Sequence, residues 1–364
     1  MNKFKTGKPI ILKGSSFERG VLQAELCPEM IDSVRENILS QVNKYKDLLK
    51  SDRNKAYLKA QTNLTQKYVP DIFDEIKGIA KGFELGIDDL FKFYHLRIIR
   101  DIDGCTTWAV SPSGEGAVVG KNRDQAAGSH ALQRVFIHQD PAWQQNKILS
   151  VGSLGAPCAY SSGINAHGFC LADTNILTSD HGPGICRYFL MPFLLVTCKS
   201  TDDALKMITD LPHAGGGSLT LGDKYGNITI VELGHTSVDI QTQPSWLVKT
   251  NHFDSDQLNS SNIISGRQSN IKNSMDRLRF IKSRIKDAHQ KFSLEKAIDL
   301  ERSHGGDDEV GICRHIEQDT LSTISGVIYT CGDNLLYFSD GNPCLASWYK
   351  FSLESNPLNK CEKT

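Results

Sequence analysis

Several common signatures are missing from this chain of 364 residues. It has no C-x-x-C pair and no H-E-x-x-H, so a zinc site has little support from spacing. It has no G-x-S-x-G, so a serine hydrolase would lack its nucleophile elbow. Gly215-Gly216-Gly217-Ser218 lacks the Lys-Ser/Thr that completes a phosphate-binding loop. There is no excess of charge of either sign: 41 Lys and Arg face 42 Asp and Glu, for a net charge of −1. A nucleic-acid partner, which selects for a basic surface, is therefore not expected. The longest apolar run, Tyr188 to Cys198, is interrupted by Pro192 and is too short to span a bilayer. The basic start, Met1 to Pro9, is not followed by the apolar stretch of a secretory signal, and no lipidation box closes the chain. Repeats and low-complexity tracts are absent. A cytoplasmic protein without membrane or nucleic-acid partners is expected, and nothing implies a metal, nucleotide or flavin.

What is present is an ordinary folded composition, 39% hydrophobic and 23% charged. The length allows one large domain or two smaller ones. Ten cysteines are scattered along it, and without a signal peptide they are expected to be reduced. Pro9 to Gly14 reads as a short strand. Ser15-Ser16-Phe17-Glu18 reads as a capping box opening a long helical pattern from Arg19 towards Leu49, with Ile31, Val34, Ile38, Val42 and Tyr45 in register. Further helices are predicted from Leu58 to Lys67, from Pro70 with Ile72, Ile76, Ile79 and Phe83 on one face, and from Asp88-Asp89 to about Ile102.

At Gly104 the composition changes to short apolar runs separated by turns. Strands are predicted at Val135–His138, Ile148–Val151, Ala159–Ile164, Phe169–Ala172, Ser218–Leu221, Ile228–Leu233, Val238–Gln241 and Trp246–Thr250. Two final strands are predicted at Gly326–Thr330 and Leu335–Phe338. Helices interrupt them at Arg187–Thr197 and from Thr201, then over 273–288 and 293–303, and the polar stretch 254–272 reads as a surface loop. The organising stretch is a hairpin. Cys105 opens the run Thr106-Thr107-Trp108-Ala109-Val110, a turn follows, and Ala117-Val118-Val119-Gly120 leads into Lys121-Asn122-Arg123-Asp124. Cys105 and Asp124 are thereby placed at one end of paired strands, a thiol beside a carboxylate and a cation.

Five short runs, in this order, resemble the penicillin acyltransferase-like cysteine hydrolases, the C45 peptidase family of N-terminal-nucleophile enzymes. They are Asp103-Gly104-Cys105-Thr106-Thr107, Gly120-Lys121-Asn122-Arg123-Asp124, Leu171-Ala172-Asp173-Thr174-Asn175, Lys249-Thr250-Asn251-His252-Phe253 and Asn273-Ser274-Met275-Asp276-Arg277. Insect β-alanyl-dopamine hydrolases are similar. The resemblance implies an α+β, four-layer αββα fold with a helical N-terminal segment. It also implies self-cleavage at Gly104–Cys105 into a small subunit, 1–104, and a large one, 105–364, which stay together. Cys105 would be the nucleophile. Its freed α-amine, with a pKa near ~8, would be the local base. By the same resemblance Asp124 orients that amine, the Asn251 side chain and the Asn175 backbone N–H stabilise the oxyanion, and Arg277 lies near the thiolate. Lys121 and Trp108 are expected in the substrate pocket. Lys121 stands where relatives commonly carry arginine, and Gln125 where an aromatic residue is frequent.

The leading expectation is an enzyme, a self-processing amidohydrolase or acyltransferase. It would act on a small N-acylated amine or amino acid, with hydrolysis favoured and no cofactor. The alternatives are an acyl-CoA-dependent N-acyltransferase, a Cys–His protease pairing Cys105 with His252, and a binding paralogue without catalysis. The stretches Arg302-Ser303-His304 and Arg314-His315 receive no catalytic role. The oligomeric state is left open.

Overall fold

The computed structural model describes residues 4–99, 104–112, 114–263, 268–288, 292–306, 310–315 and 321–357. Among these, two sheets form the centre. One has seven strands in the order Lys5–Thr6, Trp348–Ser352, Leu335–Asp340, Ser322–Thr330, Val118–Gln125, Gly104–Val110 and Trp246–Lys249. The other has eight, in the order Val238–Thr242, Ile228–Leu233, Gly217–Gly222, Cys170–Asn175, Ser162–Asn165, Lys147–Ser153, Gln133–Gln139 and Ile10–Lys13. Neighbours pair antiparallel except at two edges. Lys5–Thr6 runs parallel to Trp348–Ser352, and Ile10–Lys13 runs parallel to Gln133–Gln139.

Alternation along each strand sorts side chains into layers. Ala109, Val119, Val135, Ile137, Leu149, Val151, Ile230 and Val327 fill the space between the sheets. Their sequence neighbours face outward. Trp108, Val110, Val248 and Ile328 pack under helices Gln268–Ala288 and Leu294–Glu301 through Leu278, Ile281, Ile285 and Ile298. On the other side Leu12, Phe136, Leu171, Leu219 and Leu221 meet helices Ser16–Leu26, Ile31–Lys44, Pro70–Gly82 and Arg187–Thr197. The order is helix, sheet, sheet, helix: the αββα arrangement that the family resemblance implies, with its N-terminal segment largely helical.

The predicted capping box is formed: Ser15 caps Ser16–Leu26, and Glu18 reaches back to the Ser15 N–H at 2.7 Å. Pro70 occupies the first turn of Pro70–Gly82, and the helix Arg187–Thr197 has its expected bounds. The single long pattern from Arg19 to Leu49 is instead broken into Ser16–Leu26, a short 3-10 turn at Pro28–Met30, Ile31–Lys44 and Lys46–Lys50. Pro28 lacks the N–H that a continuous helix would need there. The helix expected from Leu58 begins earlier, at Asp52, with Ser51 as its cap. The helix from Asp88-Asp89 is Ile87–Ile99, and its expected end at Ile102 lies outside the described residues. Part of the stretch expected as a loop over 254–272 belongs to Gln268–Ala288. Two strands were not foreseen, Lys5–Thr6 and Trp348–Ser352. Among the described residues eight cysteines are free, as expected, but Cys27 is disulfide-bonded. No helix among the described residues is long and apolar enough to cross a membrane.

Candidate active site

The predicted hairpin forms, with Gly104 opposite Asp124, Cys105 opposite Arg123 and Thr107 opposite Lys121. Directly opposed residues share a face and successive ones alternate. The Cys105 side chain therefore shares the inner face with Lys121, while Asp124 lies with Gly104 on the other. The expectation of a thiol beside the carboxylate is corrected in this respect: Asp124 faces the chain at position 104, not the sulfur. A methyl group at Gly104 would collide with Arg314 Nη1 and come within 3.1 Å of Asp124 Oδ2. Glycine is the residue that permits this approach.

The main chain at Cys105 is held from two sides. Its N–H donates to Asn251 Oδ1 at 2.9 Å, and its carbonyl accepts from Arg277 Nη1 at 2.7 Å. Arg277 also donates to Thr106 Oγ1 at 2.8 Å and, through Nη2, to Asn251 Oδ1 at 2.7 Å. Asn251 Nδ2 donates to the Asn175 carbonyl at 2.8 Å, which leaves its second hydrogen for another acceptor. Four of the residues singled out in sequence, Cys105, Asn175, Asn251 and Arg277, thus form one hydrogen-bonded cluster. Asp124 is braced separately. Thr323 Oγ1 donates to Oδ1 at 2.7 Å, and Arg314 Nη1 lies 3.2 Å from Oδ2.

The Cys105 thiol borders a small cleft lined by Cys105, Lys121, Gln125, Tyr160, Asp173 and Asn175 among others. Burial pushes the thiol pKa up. Lys121 pulls it back, while Asp173 and Asp124 push it further up. In the intact chain the sulfur is therefore a poor nucleophile without a base. Lys121 Nζ donates to Asp173 Oδ1 at 2.5 Å and to the Ser161 carbonyl at 3.1 Å. Asp173 Oδ2 accepts from Arg187 Nε at 2.8 Å. Burial disfavours the Asp173 carboxylate, but Lys121 and Arg187 outweigh it and hold its pKa below the usual range. Arg187 Nη2 also donates to Asn175 Oδ1 at 2.8 Å. That bond turns Asn175 Nδ2 to a buried position where it has no partner. The side chain of Asn175, which lines the cleft, thus keeps an unpartnered amide donor.

Sequence reading gave no role to Asp173, Arg187, Arg314 or Thr323. Two of them carried a signal: Asp173 is an acid in the apolar run Phe169–Ala172 and its continuation, and Arg187 is the lone charge on the helix Arg187–Thr197. Trp108 is placed otherwise than expected. It is fully buried in the outer layer, its Nε1 donates to Glu301 Oε1 at 2.7 Å, and it does not line the cleft. The alternation of the strand sends it to that face. His252, offered as a protease base, does not line the cleft either. Its Nδ1 lies 2.7 Å from Ser274 Oγ, and burial, with the charge of Lys249, lowers its pKa to about 4. Around the cleft no described group of metal-ligand side chains gathers. One such group lies elsewhere, at His304, Cys313, His315 and Cys344.

With the site in view, comparison with known proteins places the chain. The family model described as acyl-coenzyme A:6-aminopenicillanic acid acyl-transferase matches residues 111–344, more than half of the sequence. The chain belongs to this family. The match includes Lys121, Asp124, Asp173, Asn175, Asn251, Arg277 and Arg314, and begins shortly after Cys105. No curated protein matches the chain. Among solved structures, a mutant of conjugated bile acid hydrolase from Clostridium perfringens is 11% identical with a TM-score of 0.42, covering 71% of this chain and 100% of its own. Penicillin V acylase from Agrobacterium tumefaciens is 11% identical with a TM-score of 0.38, covering 69% of this chain and 80% of its own.

Proposed function

We propose that this acyl-transferase family member is a self-processing cysteine amidohydrolase. It would cleave the amide of a small N-acylated amine or amino acid through a thioester on Cys105. The observation that carries this reading is the grip on the Gly104–Cys105 peptide. Asn251 holds the Cys105 N–H, Arg277 holds the Cys105 carbonyl, and Gly104 is pressed against Asp124 and Arg314. In the first reaction, Cys105 Sγ attacks the Gly104 carbonyl carbon. The C–N bond breaks, and the nitrogen leaves with the thiol proton as the free α-amine of Cys105. Water then hydrolyses the thioester to the Gly104 carboxylate and the thiol.

In turnover the new amine takes the Cys105 proton, and the thiolate attacks the substrate carbonyl. Cleavage from Gly104 leaves Asp124 facing the amine, where a carboxylate favours its position and its charged form. The oxyanion forms within reach of the amide nitrogens of Asn251 and Asn175, donors worth roughly 3 kcal/mol each. The leaving amine takes the proton from the Cys105 ammonium, and water, activated by the same amine, releases the acid. Transfer to an amine instead of water would use the same thioester, and the description of the family names an acyl transfer. Hydrolysis is favoured because water is always available. The eight free thiols support the cytoplasmic location, and the Cys27 disulfide opposes it.

The test is the mass of the purified protein under denaturing conditions beside a Cys105→Ala variant. Wild type should give fragments of roughly 11 and 29 kDa, by share of residues, with the larger beginning at Cys105. The variant should remain whole. A wild type that stays uncut while folded would remove the free α-amine and with it this mechanism. After cleavage, a screen of N-acyl and β-alanyl amines identifies the substrate.

A further inference from the structure

Away from the cleft, four side chains of metal-binding type converge from three separate places in the chain. His304 follows the helix Leu294–Glu301, Cys313 and His315 flank Arg314, and Cys344 follows the strand Leu335–Asp340. Their ligand atoms all lie within 4.8 Å of one another. Cys313 Sγ is 3.5 Å from Cys344 Sγ, Cys344 Sγ is 3.3 Å from His315 Nε2, and Cys313 Sγ is 4.0 Å from His315 Nε2. A tetrahedral ion with bonds of ~2.3 Å to sulfur and ~2.0 Å to nitrogen keeps its ligand atoms roughly 3.3–3.8 Å apart. The two sulfurs are too far apart to be bonded to each other, since a disulfide spans about 2.05 Å. Both cysteines are counted among the free ones.

We propose that His304, Cys313, His315 and Cys344 form a closed structural site for a zinc-like divalent cation. Two thiolates and two imidazoles suit zinc and not calcium or magnesium, which take oxygen ligands. Four protein ligands fill a tetrahedral shell and leave no position for substrate, so the site is structural rather than catalytic. Cys313 is buried and His304 exposed, with its ring stacked 5.1 Å from that of His315. The last ligand can therefore turn onto the ion from the solvent side. The spacing of these residues contains no paired-cysteine signal, which is why a zinc site has little support from spacing alone. The segment that the ion would fasten is the one that braces Asp124. Arg314 lies between two ligands, its Nη1 contacts Asp124, and its N–H donates to Thr323 Oγ1 at 2.8 Å. The metal site itself does not rest on the amidohydrolase reading; only its relation to Asp124 does.

The experiment is metal analysis of the full chain, purified under reducing conditions without chelator, stripped, and reloaded with zinc alone. Wild type should retain about one equivalent of zinc. Cys344→Ser should lose most of it, and so should His304→Ala, whose exposed ring makes misfolding a poor explanation of the loss. Cobalt in place of zinc should give the thiolate charge-transfer and strong visible bands of a tetrahedral site. Folded, reduced wild type that takes up no zinc would overturn the proposal. So would His304→Ala or Cys344→Ser variants that bind as much zinc as wild type, or cobalt spectra without thiolate ligation.

Discussion

At the scale of single residues, the site depends on which partner each polar group is given. Asn175 is oriented by Arg187, so that its Oδ1 is taken and its Nδ2 is left buried and unpartnered. An amide donor that nothing satisfies in the free enzyme can serve the oxyanion without first breaking another bond. Asn175→Asp keeps an acceptor for Arg187 and removes the donor. Turnover of an N-acyl amine should fall roughly 10²–10³-fold in kcat with the fold retained. An Asp variant of near-normal kcat would remove the Asn175 side chain from the oxyanion site and leave only its backbone N–H. His252 shows the opposite case, a histidine beside the site that the fold keeps neutral. Its pKa in the fold is about 4, against an ordinary 6.5, because of burial first and then the charge of Lys249. The unfolded chain therefore takes up a proton that the fold refuses. Stability from this group is complete above pH 6.5 and is lost as pH falls towards 4. Between about pH 7 and about pH 5, wild type should lose on the order of 2 kcal/mol more than His252→Asn in denaturant titrations. Parallel losses would mean that the fold does not depress the His252 pKa and would return it to consideration as a base. The Arg314 and Thr323 contacts with Asp124 were not legible in sequence. They join positions 190 and 199 residues apart, and no local pattern encodes such a meeting.

Among elements, those with a strong local signal were read well. The capping box at Ser15, Pro70 at a helix start and the hairpin around Cys105 each rest on interactions within a few residues. The strands Lys5–Thr6 and Trp348–Ser352 escaped because one is very short and its place depends on pairing with the far end of the chain. The contact between helices Ser16–Leu26 and Pro70–Gly82 was equally hidden. The glycines at 20 and 78 look like weak points within helices. In the structure they let two backbones touch. A methyl at Gly78 would fall on the Phe17 carbonyl oxygen, and one at Gly20 on the Glu75 carbonyl oxygen. Helix propensity alone predicts that Gly78→Ala stabilises by up to about 1 kcal/mol. Packing predicts the reverse, because both obstacles are backbone and neither can rotate away. Gly78→Ala should destabilise by roughly 1–3 kcal/mol in thermal or denaturant unfolding. A rise in stability would show that these helices separate at little cost.

For the whole molecule, the question is what the proposed cleavage after Gly104 would do to the assembly. The segment before it is not an appendage. Its strand Ile10–Lys13 closes an edge of the eight-stranded sheet, and Lys5–Thr6 closes an edge of the other. Leu12, Ala24, Val34, Ile38, Ile76 and Ile79 from this segment are buried in one core with Phe136, Leu171, Phe189 and Leu219 from beyond it. Buried hydrogen bonds cross as well: Gln23 Nε2 donates to the Ala156 carbonyl at 2.9 Å, and Glu75 Oε1 accepts from the Cys158 N–H at 3.1 Å. Each buried aliphatic side chain contributes about 1.5–3 kcal/mol. Releasing the segment would expose many of them at once, whereas cutting the bond exposes none. The two fragments that the proposed cleavage would make should therefore elute together in native size-exclusion chromatography and separate only in denaturant. Gln23→Ala should lower the denaturant concentration at which they part, because it leaves buried partners at Gly155 and Ala156 unsatisfied. Fragments that separate in native buffer would mean that the uncut chain holds its layers together by connection rather than by packing.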